Sequence, residues 1–274
     1  MSHTTKTERI SVGNGEIAFD APAGTGDGGG FVILFVHGTS FNRKIWTPIL
    51  DTLAAGHRPI AFDNPGHGES SPPPVTTVDE GVAVLKGLHD ALGLGQVVLI
   101  GHSMGGAISQ QYFNTYPEDV LALGLVSTAP RFLLTTDTID RWLADPATYR
   151  LEEMGRIVAP ETSEDIRNQL FGMRDETTPA AQRADLIACT TWDNEPRAFD
   201  IDVPVLAITA NHDRDYFRDS AARWGEKLSR AEVVTIEGAG HMMMVEKAAE
   251  TAAAISRWVS SLSAPTVRPV SASD

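Results

Sequence analysis

The stretch Val97-Val98-Leu99-Ile100-Gly101-His102-Ser103-Met104-Gly105-Gly106-Ala107-Ile108-Ser109-Gln110 decides how this chain folds. Its first four residues form an unbroken apolar run, as strands buried on both faces of a parallel sheet require, and a helix-compatible segment opens near Met104. Between them Gly101-His102-Ser103-Met104-Gly105 fits G-x-S-x-G, a turn that strains the serine at its tip while the glycines let strand and helix approach closely. A serine hydroxyl is a poor nucleophile unless a base takes its proton and donors stabilise the oxyanion that follows. The Met104 N–H, at the start of a helix whose dipole favours negative charge, is one such donor. Roughly one chain in ten of this length carries the pattern by chance, so the weight lies in its place between strand and helix.

Outward from this turn, short apolar runs recur at Phe31 to Val36, Pro59 to Phe62, Leu121 to Val126, Val203 to Thr209 and Val233 to Ile236, while Glu16 to Phe19 alternates like a half-buried strand. Helical spacing separates them, as in Val78, Val82, Leu85, Leu88 and Leu92. Strands alternating with helices predict an α/β fold, a mostly parallel sheet covered on both faces, with chemistry at the carboxyl ends of the strands. The alternation is interrupted once. From Arg131 to about Asp200 there is no strand run, and Ile139 to Leu143, Leu151 to Val158, Ile166 to Met173 and Ala180 to Ala188 read as short amphipathic helices, an insertion expected to form a cap. This divides the chain into a core of residues 1–130 and 201–262, a helical cap of 131–200, and a Ser/Pro/Ala-rich tail of 263–274 expected to fray. Gly24 to Gly30 is expected to be a loop.

The charge balance, 22 Lys+Arg against 36 Asp+Glu for a net −14, argues against a phosphate backbone or an anionic membrane surface as partner. Cys189 is the single cysteine, read as a small buried residue, so there is no intrachain disulfide framework. The amino-terminal residues carry no apolar h-region, and no apolar stretch reaches membrane-spanning length. A soluble cytoplasmic protein acting on a small molecule is the expectation.

A serine nucleophile needs a histidine held by a carboxylate, both at strand ends. Of eight histidines only His241 follows a strand run through a flexible loop, Glu237-Gly238-Ala239-Gly240, and precedes a helix. Asp213 lies just beyond the run Val205 to Thr209, where a carboxylate can accept the imidazole Nδ1–H and fix its tautomer; Asp215 and Asp219 are the fallbacks. The chain order Ser, Asp, His suits a strand-to-helix nucleophile on a parallel sheet.

At this point the chain resembles the α/β-hydrolase superfamily from about Glu16 to Trp258. Four stretches carry the likeness: Phe35-Val36-His37-Gly38-Thr39-Ser40, Phe62-Asp63-Asn64-Pro65-Gly66-His67-Gly68-Glu69-Ser70, GHSMGG at 101–106, and Gly238-Ala239-Gly240-His241-Met242-Met243-Met244-Val245-Glu246. Ala210 departs from the family's usual glycine three residues before the acid. The resemblance implies the superfamily's fold with a small helical cap after the sixth strand, and a triad of Ser103, Asp213 and His241. It further implies an oxyanion hole from the N–H groups of Met104 and Thr39, with Ser40 a weaker candidate. His37 and Gly38 would shape the loop, Asp63, His67 and Ser70 would stabilise their turn, and His102 would point away from the pocket. Serine rather than aspartate at the turn implies acyl chemistry, on a small apolar ester or lactone, with no metal or organic cofactor. Carbon–carbon bond hydrolases and cofactor-free perhydrolases share that version, and a ligand receptor on the same fold is the reading from another class. Trp142, Tyr149, Met154, Phe171, Met173 and Trp192 are available for the cap wall, with Trp142, Phe171 and Trp192 chosen as substrate contacts. Oligomeric state is left open.

Overall fold

The computed structural model describes residues 5–22 and 30–263; the expected loop up to Gly29 and the tail beyond Ser263 lie outside them. Eight strands are seen among the described residues: β1 Thr5–Val12, β2 Gly15–Pro22, β3 Val32–Val36, β4 Arg58–Phe62, β5 Val97–His102, β6 Val120–Val126, β7 Val205–Ala210 and β8 Ala231–Ile236. They form one sheet in the order β1-β2-β4-β3-β5-β6-β7-β8. From β4 to β8 every pairing is parallel, while β1 with β2 and β2 with β4 are antiparallel.

Along the central strands the side chains alternate between two cores, as a two-residue period demands. Leu34 and Val36 of β3 and Val97 and Leu99 of β5 face one side with Leu123 and Leu125 of β6. Ile33, Phe35, Val98, Ile100, Ala122 and Val126 face the other. Both faces are covered, which is why these strands read as continuous apolar runs. The helices are α1 Thr47–Leu53, α2 Val78–Ala91, α3 Met104–Thr115, α4 Thr136–Ala144, α5 Pro146–Ile157, α6 Glu164–Asp175, α7 Pro179–Thr191, α8 Asp215–Lys227, α9 Met243–Glu246 and α10 Ala248–Ser261. Residues of α2, α3 and α8 fill the first core. Those of α1, α9 and α10 fill the second, joined by Met154, Ile157, Leu170 and Met173 from α5 and α6.

The four helices α4 to α7 fall between β6 and β7, so the insertion follows the sixth strand. Three of them start with local chemistry the sequence supplies: Asp145, Ser163 and Thr178 accept first-turn N–H bonds of α5, α6 and α7, and prolines sit at the openings of α5 and α7. Among the described residues no helix is long and apolar enough to cross a membrane.

Leu99 sits at the centre of the sheet, level with Leu34 on β3 and Leu123 on β6, and is fully buried. Leu99→Ala is therefore expected to lower unfolding free energy by about 2–5 kcal/mol, the cost of lost transfer plus a cavity that rigid neighbours cannot close, as read by urea denaturation.

Candidate active site

Ser103 joins β5 directly to α3 with φ 52° and ψ −119°, a positive-φ backbone that a residue with a Cβ adopts only under constraint. The constraint is visible. The Ser103 N–H donates to the Val126 carbonyl of β6 at 3.0 Å, and its own carbonyl accepts from Gly106 N–H at 2.9 Å and the Thr128 hydroxyl at 2.8 Å. The glycines are needed on steric grounds: a Cβ on Gly101 would lie 2.2 Å from the Gly105 carbonyl oxygen, and one on Gly105 2.3 Å from that of Val36. Met104 opens α3, where backbone N–H groups have no acceptor within the helix.

Asp213 follows β7 and His241 follows β8, and the structure brings them together: His241 Nδ1 donates to Asp213 at 3.1 Å to Oδ1 and 3.2 Å to Oδ2. The Asp213 side chain is wholly enclosed, and its Oδ1 also accepts the Arg214 N–H at 2.8 Å. Burial alone would raise its pKa, but the charge and hydrogen bond of His241 outweigh that and hold it below the ordinary carboxylate value. The imidazole is clamped on both faces, stacked on Phe217 at 4.7 Å and tilted against His102 at 4.6 Å. Neither fallback acid is in reach of this pair: Asp215 is paired with Arg218 and Asp219 is exposed. Alanine at 210 is accommodated in the turn that leads to Asp213, whose N–H donates back to the Ala210 carbonyl at 3.1 Å.

Ser103, His241 and Thr39 line one cavity of about 220 Å³ between the carboxyl ends of the strands and the inserted helices. Ser40, the weaker oxyanion candidate, is already committed: its N–H donates to Asp185 Oδ2 at 2.7 Å, and of that loop Thr39 and Phe41 line the cavity. His37 accepts the Asn64 N–H at Nε2, so its Nδ1–H donates to the Gly38 carbonyl at 2.8 Å. Burial first, then the nearby charge of His67, drives its pKa well down, and the neutral ring braces the loop. Asp63 accepts from the Arg43 N–H and guanidinium and from Glu69 N–H, and the Ser70 hydroxyl donates to the Asp63 carbonyl at 2.7 Å. That turn is thus closed on itself and on the buried Arg43.

Three expectations need correction. Trp142 packs with Tyr149 and Leu186 in a small cluster, Trp192 lies behind Phe132 at 5.8 Å, and Phe171 packs against the second core. None of the three lines the cavity; Tyr149, Leu186 and Phe132 stand in front of two of them. His102 borders the cavity but is 1% exposed: its ring packs against Trp46 and His241, and its Nε2–H donates to the His241 carbonyl at 3.0 Å. Nor is the lining simply apolar, because Arg141, Glu153, Arg156 and Arg214 share it.

Sequence reasoning missed Asp185 on α7. It is fully buried, and besides Ser40 N–H its Oδ2 meets His67 Nε2 at 2.9 Å. His67 Nδ1 faces the Pro65 carbonyl at 3.1 Å, so both ring nitrogens donate and the ring pairs with Asp185 as a cation. Burial pulls its pKa down, but Asp185 outweighs burial and the net direction is up. A local signal existed. On α7, Ala181, Asp185 and Cys189 fall at i, i+4 and i+8, all buried, so the aspartate sits on an apolar face where only a partner makes it tolerable. Glu246, quoted within the histidine loop but given no role, accepts from Gly240 N–H at 2.9 Å and from Ala159 N–H at 2.7 Å.

An alpha/beta hydrolase family model matches residues 33–254, and the chain belongs to that family. It is similar to a putative 2-succinyl-6-hydroxy-2,4-cyclohexadiene-1-carboxylate synthase of Bacillus subtilis, 28% identical over 247 residues that cover 83% of this chain and 89% of that one. It is also 37% identical over 101 residues to the dihydrolipoyllysine-residue acetyltransferase component of the acetoin cleaving system of Cupriavidus necator, a match covering 36% of this chain and only 27% of that protein's length. Among solved structures, a thermophilic esterase from Thermogutta terrifontis superposes with a TM-score of 0.82 at 23% identity over 94% of this chain and 99% of that one, which shows the shared fold.

Two outcomes follow from the Asp185 contacts. Asp185→Asn is expected to cost about 3–5 kcal/mol in urea unfolding, because it leaves a buried imidazolium without its counter-charge. Because the His67 pKa is raised on folding, the stability it contributes is complete below its unfolded value near 6.5 and is lost as pH rises through the higher folded value. Wild-type urea midpoints measured across neutral to alkaline pH should carry that decline, and His67→Gln should remove it.

Proposed function

We propose that this protein is a serine hydrolase that cleaves a small carboxylic ester or lactone through an acyl-enzyme on Ser103. One observation carries the reading. A positive-φ serine and a histidine whose Nδ1 is held by a buried aspartate open onto the same small cavity.

In this mechanism Asp213 fixes His241 with its proton on Nδ1, leaving Nε2 free to take the Ser103 proton as Oγ attacks the carbonyl. The Met104 and Thr39 N–H groups stabilise the tetrahedral oxyanion, each such donor contributing about 3 kcal/mol to lowering the barrier. His241 then protonates the leaving alcohol and activates water against the acyl-enzyme. No step calls on a metal or organic cofactor. At about 220 Å³ the cavity lies below the ~300–1,000 Å³ typical of drug-sized ligands, which supports a small substrate.

A fluorophosphonate probe and a 4-nitrophenyl acetate assay test this. The wild type should be labelled and turn the ester over, and Ser103→Ala should abolish labelling and lower kcat by at least ~10³-fold. Equal labelling and turnover in the variant would reject Ser103 as nucleophile. Ligand binding with negligible turnover in both proteins would mark a receptor. Asp213→Asn, which forces the wrong tautomer on His241, should reduce kcat by on the order of 10⁴, whereas Asp215→Asn should stay near wild type.

A further inference from the structure

The chain carries a net charge of −14, yet its cavity is lined by three arginines, Arg141, Arg156 and Arg214, against one glutamate, Glu153. The acids nearby are already shared out. Glu152 Oε2 accepts from both Arg141 and Arg156, and Glu153 Oε2 accepts from the buried Arg174 at 2.6 Å. Asp213 is engaged with His241. Among the described residues Arg214 forms no ion pair within 4.0 Å; its guanidinium is held by the Tyr216 hydroxyl, with the charges of Glu153 and Asp213 acting on it from further off.

The position of Arg214 makes this surplus charge notable. It is half-buried, adjacent in sequence to the triad acid, and occupies the N-cap of α8 without capping it. That position favours Ser, Thr, Asp or Asn, and the helix dipole opposes a cation there. Local stability therefore argues for another residue at 214. What the arginine does provide is a planar, permanently charged fork on the wall of the cavity that holds Ser103, suited to two-point recognition of a carboxylate. Arg141 and Arg156, about half exposed, add positive potential near the same opening and attract an anion towards it.

We propose that the substrate bears a free carboxylate, remote from the scissile carbonyl, that docks on Arg214: a half-ester or acid-bearing lactone of a short dicarboxylic acid. This rests on the serine hydrolase reading and narrows its substrate class from the apolar esters expected from the sequence. Arg214 is then a specificity-determining residue.

The test compares 4-nitrophenyl hydrogen glutarate with 4-nitrophenyl pentanoate, which have equal acyl length and differ in the terminal carboxylate. Wild type should favour the glutarate ester in kcat/KM by at least about tenfold, the scale of one charge-assisted contact. Arg214→Gln should reduce that ratio by about tenfold, and Arg214→Lys should restore part of it. Using the ratio within each protein removes any difference in folded fraction. Comparable kcat/KM for the two esters in wild type, or a ratio unchanged in Arg214→Gln, would overturn the proposal and leave the hydrolase reading intact. If neither ester is turned over and the probe does not label Ser103, the hydrolase reading fails instead. Glutarate binding by calorimetry then decides the anion site: weakening of about fivefold or more in Arg214→Gln supports it, and equal affinity overturns it.

Discussion

The backbone of Ser103 is the constraint on which the carboxyl end of this sheet depends. Holding a residue with a Cβ at φ 52° costs about 1–3 kcal/mol, and the surroundings must over-determine it. They do so with main-chain bonds to β6, a side-chain bond from Thr128, and glycine contacts too close for any other residue. The sheet supplies this rigidity. β5 is buried on both faces and paired on both edges, so the turn at its end has no freedom to relax. From that fixed point the loop after β3, Asp213 after β7 and His241 after β8 need only short loops to converge.

Much of this was legible in the sequence because the responsible signals are local. Unbroken apolar runs marked the parallel strands, and the four inserted helices appeared from their spacing within a few residues of their observed ends. The triad candidates could be chosen because each lies just past a strand. The edge strand β1 was not legible: Thr7, Glu8, Arg9 and Ser11 alternate with little apolar content, since that strand is largely exposed. The cap wall failed for a different reason. Aromatic residues identify where a core can form, but which layer meets substrate is decided by tertiary packing. Trp142 and Trp192 ended one layer behind smaller side chains. Charges lining the cavity were equally hidden, because an arginine on a cap helix reads as a solvated face until the fold turns it inward.

The inserted helices are not a separate body resting on the sheet. Asp185 of α7 reaches down to the Ser40 N–H and His67, and Glu246 of α9 reaches up to Ala159 and Thr162 while also holding Gly240 beside the histidine. One carboxylate therefore ties the insertion to the loop after β3 and another ties it to the loop that carries His241. Both are placed where removing a partner strands a buried charge or donor, so these ties are costly to break.

The Asp185 contact carries a lesson for swapping recognition modules between scaffolds. A single carboxylate oxygen on the insertion is the acceptor for a main-chain donor of the loop beneath it, so this segment is built into the fold rather than an interchangeable hood. A transplanted segment chosen only for its own pocket shape would leave that donor, and a cationic ring beside it, stranded in a dry interior. Chimeras of this scaffold have to import an acid at the equivalent helical position, whatever else about the donor segment they change.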